Sequence, residues 1–284
     1  MDKRWSILGL CLLAGVSQVS VADTAGIKLQ GELKQGALIR AQVAAGTQVS
    51  LDGKPLNVSK EGKLAFGFDR DATGEQILQL THADGSRETV KLAIGKQDYR
   101  IQRIEGIAKK IMQPKPEDVA RAKQDSAQVR AARDTDSQRL DFSQDFIWPV
   151  TGRISGVYGS QRVYNDVPGR PHYGIDIAAP RGTKVVAPAD GVITLAVPDM
   201  FYSGGTVIID HGFGVSSTFL HLSKLLVPVG TEVKQGEVVA EVGSTGRSTG
   251  PHLDWRINWY QMRLDPATVV PSMKSYIKQQ QAAK

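Results

Sequence analysis

The sequence predicts a mainly β protein, with a small N-terminal β-sandwich-like domain, a polar helical linker and a C-terminal antiparallel β domain that contains a duplicated β-unit. Apolar residues alternate with polar ones in both β regions, glycines recur at the turns, and the segment between the two regions has the composition of a helix. The 284 residues are 41% hydrophobic and 23% charged, which excludes a disordered or collagen-like chain and allows two modest domains.

Residues 1–22 are predicted to be a signal peptide. Two basic residues precede an apolar run at residues 7–14, and small residues occupy positions 20–22, where a signal peptidase would cut. An uncleaved anchor helix would need a longer apolar run, and lipidation of Cys11 is disfavoured by the bulky Leu10 before it. Cys11 is the single cysteine, so the mature chain would have no disulfide and no thiolate ligand. We expect export to the periplasm or cell envelope, with no transmembrane segment after cleavage.

Residues 23–100 are predicted to form the N-terminal β-domain. Val49 and Leu51 alternate with polar residues and are followed by Asp52-Gly53, a dipeptide typical of hairpin turns. The same pattern of alternation and turn recurs along the rest of the segment. His82 lies beside one of these turns, and we interpret it as a solvated loop residue.

Residues 101–142 are predicted to be the helical linker. Pro116, followed by two acidic residues, is a typical helix start, and few large apolar side chains occur from there to Arg133. A helix that is polar on nearly all faces usually bridges two domains. Its basic residues could contact an anionic polymer, although a solvated linker is the preferred interpretation. No aromatic residues are interleaved with them, so we expect no nucleic-acid partner.

Residues 143–272 are predicted to form the C-terminal β-domain, followed by a tail at 273–284. The stretch PRGTKV at residues 180–185 is echoed by PVGTEV at residues 228–233, which suggests a duplicated β-unit within one sheet system. This domain holds four of the five histidines, so we expect any chemistry to be located here.

Three segments of this domain carry residue types that bind metals or transfer protons. They are His172 with Asp176, the lone His221 in an apolar strand, and His252 with Asp254. On a straight strand, residues four apart are separated by about 13 Å, so the first pair can meet only if the chain curls at Gly174. Alternation places the last pair on one face of a strand. Each segment alone also fits a surface ion pair or a core histidine; together, imidazoles and carboxylates suit Zn²⁺.

At these residues the sequence resembles the LytM/lysostaphin-type zinc metallopeptidases of peptidoglycan. The resemblance spans residues 146–270 and is carried by HYGIDIAAPRGTKVVAPADGVI, FLHLS and VPVGTEVKQGEVVAEVGSTGRSTGPHL. It implies a metallopeptidase domain with one Zn²⁺ per chain. The implied metal ligands are His172, Asp176 and Asp254, and the implied catalytic acid–base residues are His221 and His252.

The chain departs from the family pattern at the last ligand, where Asp254 replaces a histidine. Aspartate binds zinc at about 2.0–2.2 Å but has a shorter side chain than histidine. A second carboxylate would also neutralise the charge of the ion and weaken its Lewis acidity.

The resemblance implies an exported zinc metallo-endopeptidase that hydrolyses peptide cross-links of peptidoglycan by metal-activated water. The alternative is a catalytically silent LytM-like regulator that binds and activates a cell-wall amidase or the division machinery. A third hypothesis, a carbohydrate-binding β-protein, fits the N-terminal half better than the C-terminal half.

The other candidates in this domain are interpreted as structural. His211 lies at a predicted hairpin turn, and the glycine-rich run at residues 243–250 lacks the ending of a phosphate loop and is interpreted as the turn that delivers His252. No Gly-x-Ser-x-Gly motif is present, so a serine hydrolase is unsupported. Three tyrosines remain equal candidates for an oxyanion donor, namely Tyr158, Tyr164 and Tyr173.

Overall fold

The computed structural model describes residues 21–24, 26–105 and 115–282 of the chain. Two α-helices and 22 strands in five sheets confirm, for these residues, the predicted mainly β fold. Most of the predicted signal peptide, residues 1–20, lies outside the described residues, and the predicted cleavage point after Ala22 falls within the first strand. In the part of the chain that is described, no helix is long and apolar enough to cross a membrane.

The N-terminal region forms two four-stranded antiparallel sheets that share one apolar core. Its strands are β1 (Val21–Thr24), β2 (Ile27–Gln30), β3 (Leu38–Val43), β4 (Gln48–Leu51), β5 (Lys54–Leu56), β6 (Lys63–Gly67), β7 (Glu75–Thr81) and β8 (Arg87–Ala93). The sheet orders are β1-β2-β3-β6 and β5-β4-β7-β8. Alternate residues of both sheets, such as Phe66 and Leu78, are fully buried in the shared core, as the period of two in the sequence predicts. The interpretation of His82 as a solvated residue is wrong, because its side chain packs against Glu88 and is only 17% exposed.

The linker is a strand followed by a helix. Strand β9 (Ile101–Ile104), which the sequence pattern does not predict, pairs in parallel with β11 (Gln161–Tyr164) of the C-terminal domain. Helix α1 (Pro116–Arg133) begins at the predicted proline and carries acidic residues in its first turn. Most of the helix is exposed, but its last two residues, Ala132 and Arg133, are buried. Its middle also contacts the C-terminal domain, because Arg121 pairs with Asp199 at 2.7 Å and Asp125 accepts a hydrogen bond from the Phe201 N–H at 2.7 Å. The helix is therefore docked on that domain rather than solvated throughout.

The C-terminal domain contains thirteen strands, a second helix and two short 3₁₀ helices. They are a 3₁₀ helix (Asp141–Ser143), β10 (Arg153–Gly156), β11 (Gln161–Tyr164), β12 (Val167–Pro168), β13 (Ile175–Ala178), β14 (Lys184–Val186), β15 (Gly191–Met200), β16 (Gly204–Gly212), β17 (Val215–Leu222), β18 (Lys224–Leu225), β19 (Glu232–Val233), β20 (Val238–Glu241), β21 (His252–Trp259), β22 (Met262–Leu264), a 3₁₀ helix (Pro266–Thr268) and α2 (Met273–Ala282). The residues predicted to be a tail thus form helix α2, which packs through Met273 and Tyr276 against the domain core.

The main sheet has two chemically different faces. Its strand order is β10-β13-β21-β17-β16-β15-β19, and β22 pairs with the C-terminal end of β21. On one face, Phe219 and Trp255 lie opposite each other and are fully buried in the apolar core. On the other face, the neighbouring pairs include Thr218 with Arg256. The polar face is where a site can form.

The two copies of the repeated sequence lie in different sheets rather than in one. Both form the same turn, in which the threonine N–H donates to the proline carbonyl, at 3.1 Å in the first copy and 3.3 Å in the second. The first copy leads into β14, which pairs with β20, whereas the second leads into β19, which pairs with β15. The local sequence determines the turn, but the strands available for pairing determine the sheet.

Candidate metal centre

Three neighbouring strands bring the three predicted motifs together. Asp176 on β13 lies directly opposite Asp254 on β21, and His252 begins the same strand β21. His172 immediately precedes β13, and His221 lies near the end of β17, the strand on the other side of β21. Because directly opposed side chains in a sheet are about 4.5–5.5 Å apart at Cβ, the two carboxylates share one small volume.

The three predicted ligands converge. One ligand atom from each of His172, Asp176 and Asp254 lies within 4.8 Å of the other two, and this is the one such group of three found among the described residues. His172 Nε2 is 3.2 Å from Asp176 Oδ1. Both of these atoms are buried and neither has a hydrogen-bond partner of suitable geometry. Buried polar atoms are normally satisfied, so these two atoms, which face each other beside a third ligand, are candidates to share a metal ion.

Two glycines make room for the two carboxylates. A Cβ on Gly174 would collide with Oδ1 of Asp254, and a Cβ on Gly156 would collide with Oδ2 of Asp176. The curl predicted at Gly174 is confirmed by the short distance between His172 and Asp176. The absence of a side chain at Gly174 also allows close approach of β21, a role that one sequence alone cannot reveal.

The donor set fits a zinc ion. Zinc accepts imidazole nitrogen and carboxylate oxygen at about 2.0–2.2 Å, so ligand atoms already within 4.8 Å of one another need to move little to surround it. His172 carries a raised pKa: burial alone would lower it, but the nearby carboxylate of Asp176 and the charge of Asp254 favour the protonated ring and outweigh burial. A metal and a proton would therefore compete for this histidine.

Asp254 has a charged partner that the sequence analysis did not identify. Arg256 Nε lies 3.0 Å from Asp254 Oδ1, and its Nη2 lies 2.5 Å from Oδ2. Burial would raise the pKa of Asp254, which is 2% exposed, but the charge and hydrogen bonds of Arg256 hold that pKa below its ordinary value. Spacing of two along a strand was the signal that could have linked these residues, since it places both on one face.

The two predicted catalytic histidines lie side by side with one nitrogen of each held by the backbone. Their ring centroids are 4.8 Å apart. His221 Nδ1 lies 2.8 Å from the carbonyl of Thr245, and His252 Nδ1 lies 2.8 Å from the carbonyl of Gly250. A carbonyl can only accept, so each Nδ1 carries the proton and each Nε2 is left as the basic nitrogen. His252 Nε2 lies 3.7 Å from Asp176 Oδ1, which places it at the metal ligands.

His221 reaches the polar face because the strand is irregular there. Its neighbour Leu220 already faces Asp254, so regular alternation would turn His221 toward the core. Instead, His221 has φ of 64°, in a region that residues other than glycine rarely adopt. Burial lowers its pKa, which keeps the ring neutral near pH 7. The glycine-rich turn predicted to deliver His252 also supplies Thr245, the acceptor that orients His221.

Of the remaining candidates, His211 and Tyr158 are engaged elsewhere in the fold. His211 is fully buried, and its two nitrogens contact the Asp190 carbonyl at 2.6 Å and Ser217 Oγ at 2.8 Å, in agreement with a structural role. The Tyr158 hydroxyl donates to the Arg263 carbonyl at 2.8 Å and is therefore engaged. Tyr173 lies next to His172, with the guanidinium of Arg263 over its ring.

Comparison with known proteins finds a family match over the residues of the candidate metal centre. The family model described as "Peptidase family M23" matches residues 170–266, which include all five site residues. A solved structure from Pseudomonas aeruginosa, described as a candidate peptidase M23, is 30% identical, covers 84% of this chain and 95% of its own, and superposes with a TM-score of 0.65. The chain belongs to peptidase family M23. The M23 family consists of metal-dependent peptidases, in keeping with the His/Asp/Asp group.

Two curated M23 relatives match the C-terminal domain. The DD-carboxypeptidase/endopeptidase Mpg of Neisseria meningitidis is 47% identical over 100 residues, which are 35% of this chain and 23% of Mpg. The peptidoglycan DD-endopeptidase ShyA of Vibrio cholerae is 42% identical over 117 residues, which are 41% of this chain and 24% of ShyA. The chain thus matches less than a quarter of the length of each of these relatives.

Proposed function

We propose that this M23 chain is an exported zinc metallo-endopeptidase that hydrolyses peptide cross-links of peptidoglycan in the periplasm or cell envelope. The observation that carries the proposal is the convergence of His172, Asp176 and Asp254 beside two histidines with basic Nε2 atoms. The choice of substrate is supported by the relatives, of which ShyA is described as a peptidoglycan DD-endopeptidase. Export is supported by the signal-like sequence at the N-terminus.

His172, Asp176 and Asp254 would hold the zinc ion, which would supply Lewis acidity toward a peptide carbonyl and lower the pKa of a water beside it. The side chains around it would move the protons. Nε2 of His221 or His252 accepts a proton from the water as its oxygen bonds to the carbonyl carbon. The same proton then passes to the amide nitrogen as the C–N bond breaks, so that a carboxylic acid and an amine are formed.

Arg256 offsets the loss of positive charge that a second carboxylate ligand would cause at the metal. Asp176 and Asp254 together would neutralise both charges of the ion, whereas one carboxylate and two histidines would leave one positive charge. The guanidinium of Arg256 on Asp254 restores that positive charge close to the ligand atoms. It also orients the carboxylate, since ligands of bound metals are usually held by such outer partners.

The silent regulator remains a second candidate because of the same contact. Both oxygens of Asp254 already lie within hydrogen-bond distance of Arg256, so this carboxylate is satisfied without a metal. His172 Nε2 and Asp176 Oδ1 favour the enzyme, because Arg256 leaves them unsatisfied.

The test is hydrolysis of isolated peptidoglycan by the purified protein, with chromatography of the released fragments and detection of new amino termini. We expect cleavage by zinc-loaded protein, loss of cleavage with a chelator, and recovery when zinc is returned. Fragments without new amino termini, or cleavage unaffected by chelation, would refute the proposal. Stimulation of a separate amidase by protein that cleaves nothing itself would establish the regulator instead.

A further inference from the structure

Helix α1 brings a buried arginine to the polar face of the main sheet. The end of the helix packs through Ala132 against Leu195 and Ile208, which lie on strands β15 and β16. The next residue, Arg133, donates from Nη2 to Thr218 Oγ1 at 3.1 Å. Thr218 is the cross-strand neighbour of Arg256, which lies two residues along β21 from Asp254 and on the same face. Arg133 therefore lies beside the candidate metal centre, although it belongs to the linker.

No acidic side chain in the described part of the chain forms an ion pair with Arg133. The residue is 7% exposed, and its Nε is buried with no hydrogen-bond partner. A buried charge is normally paired, because removal from water costs several kcal/mol per ion unless an opposite charge or further hydrogen bonds compensate for it. The hydroxyl of Thr218 offers no charge. Arg133 is therefore a buried cation whose charge is not balanced by an acid among the residues that the structure describes.

The charged neighbours of Arg133 are mostly cations. Burial, together with the charges of Arg256 and Arg263, lowers the pKa of Arg133 to about 9. The acid that opposes this effect is Asp254, whose oxygens are held by Arg256. Arg263 stacks on the ring of Tyr173, with its guanidinium carbon 4.5 Å from the ring centroid. Burial, together with the charges of Arg256 and Arg170, lowers the pKa of Arg263.

We propose that Arg133, Arg256 and Arg263, the arginine cluster, form a subsite that binds a carboxylate of the peptide substrate. The inference rests on the proposed function, since it places this carboxylate beside the bond that the metal centre cleaves. The planar fork of a guanidinium matches a carboxylate in two parallel hydrogen bonds. Access is available because the side chain of Arg256 is 26% exposed.

The position of the cluster defines where the carboxylate lies in the substrate. Arg256 follows Asp254 by two residues, a separation of about 6.6 Å along a strand. An extended peptide advances about 3.3–3.6 Å per residue. The cluster therefore selects a substrate with a free carboxylate within about two residues of the scissile bond, on the side of the metal that faces helix α1.

The test is equilibrium binding of a fluorescent stem peptide of peptidoglycan in two forms, one with free carboxylates and one with the same groups amidated. The binding protein is the full chain with His221→Ala, so that cleavage does not disturb the equilibrium. We expect the free carboxylate form to bind about tenfold more tightly or better, the scale of one charge-assisted pair. Arg133→Gln and Arg263→Gln should each remove most of this preference. Arg130→Gln, an exposed arginine of the same helix, should retain it.

Two further measurements keep the test decisive. Arg263 lies on β22 and is not among the residues that pack the end of helix α1 on β15 and β16, so undocking of the helix is not expected in Arg263→Gln. Inorganic phosphate as a competitor distinguishes a general anion site from a peptide subsite: we expect displacement of the carboxylate peptide only at phosphate concentrations far above the dissociation constant of that peptide. Displacement at comparable concentrations would overturn the assignment to a substrate carboxylate.

Equal binding of the two peptides by the parent protein would refute the subsite, and so would a preference that survives both arginine substitutions. These outcomes are separate from failure of the proposed function, which is measured by hydrolysis in the protein that retains His221. A protein that cleaves peptidoglycan but binds the free and the amidated peptide equally lacks the subsite. A protein that discriminates but never cleaves retains the subsite and lacks the peptidase activity.

Discussion

Two histidine–carboxylate pairs in this chain have the same separation but different surroundings. In the N-terminal region, His82 Nε2 lies 3.2 Å from Glu88 Oε1, and Nδ1 lies 3.3 Å from Thr47 Oγ1. In the C-terminal domain, His172 and Asp176 are also 3.2 Å apart. Each pair includes buried polar atoms without a hydrogen-bond partner. The distance within the pair therefore does not identify a metal centre.

The difference lies in what the adjacent strand presents. Strand β21 places Asp254 directly opposite Asp176 and adds His252 on the same face, so that a third ligand and a base converge. Among the residues described, the His82 pair has no third ligand of this kind and offers only a hydroxyl, a poor zinc donor. The register of the sheet, which places Asp254 opposite Asp176, therefore distinguishes the candidate metal centre from an ordinary ion pair.

The largest expected effect comes from removing a ligand. His172→Ala should abolish stoichiometric zinc binding and peptidoglycan hydrolysis, because the two remaining carboxylates cannot complete the set. His82→Ala is the matched control and should retain both. Zinc content by mass spectrometry and fragment release measure the two effects. Equal loss of zinc in both variants would show that the comparison between the pairs is mistaken.

The next effect separates metal binding from proton transfer. His221→Ala should lower the turnover rate by about 10²–10⁴-fold while zinc content stays unchanged, because His221 is near the ligands without being one of them. In the unsubstituted protein, His221 should determine the acidic limb of the pH–rate profile. The apparent pKa of that limb should lie below the ordinary histidine pKa, because burial disfavours the protonated form of His221. Loss of zinc in the variant would assign His221 to the metal shell instead.

A smaller effect is expected from the partner of Asp254. Arg256→Met should weaken zinc affinity by about 10–100-fold, the usual cost of losing an outer partner of a metal ligand. Arg181→Met, at an exposed turn, is the control and should have no effect. Titration with a competing chelator measures the affinities. Unchanged affinity in Arg256→Met would mean that Asp254 does not bind the metal.

The smallest effect concerns His211, which lies outside the candidate metal centre and whose two ring nitrogens both have hydrogen-bond partners in the fold. Burial lowers its pKa to about 4, so between pH 6.5 and pH 4 the unfolded chain binds the proton and the folded chain does not. Stability should therefore fall by about 3 kcal/mol as the pH decreases through this window. His211→Gln should show a flatter dependence in denaturant unfolding, and an equally steep one would contradict this account.

The sequence predicted the fold class and also selected residues that the structure brings together, but for different reasons. The alternation around Phe66 and Leu78 reports burial directly, so the N-terminal strands could be predicted from the sequence alone. His172, Asp176, His221, His252 and Asp254 were found through a family resemblance, and their spacing left a structural interpretation open. The assignment of these five residues to particular roles stays a prediction.

What the sequence could not predict depends on long-range pairing. Strand β9 exists because β11 lies beside it, and its own four residues contain no clear alternation. The different sheets of the two repeated turns are likewise decided by available neighbours. The docking of Arg133 could not be predicted, because a helix with few large apolar residues carries no clear pattern that indicates a buried face.

The central claim is that Asp254 completes a zinc site with His172 and Asp176. The most direct test is the zinc content of the purified protein and of Asp254→Ala after incubation with one equivalent of zinc and removal of unbound metal. We predict one zinc ion per chain in the unsubstituted protein and a substoichiometric amount in the variant. Equal zinc content in the two proteins, or no retained zinc in either, would contradict the claim.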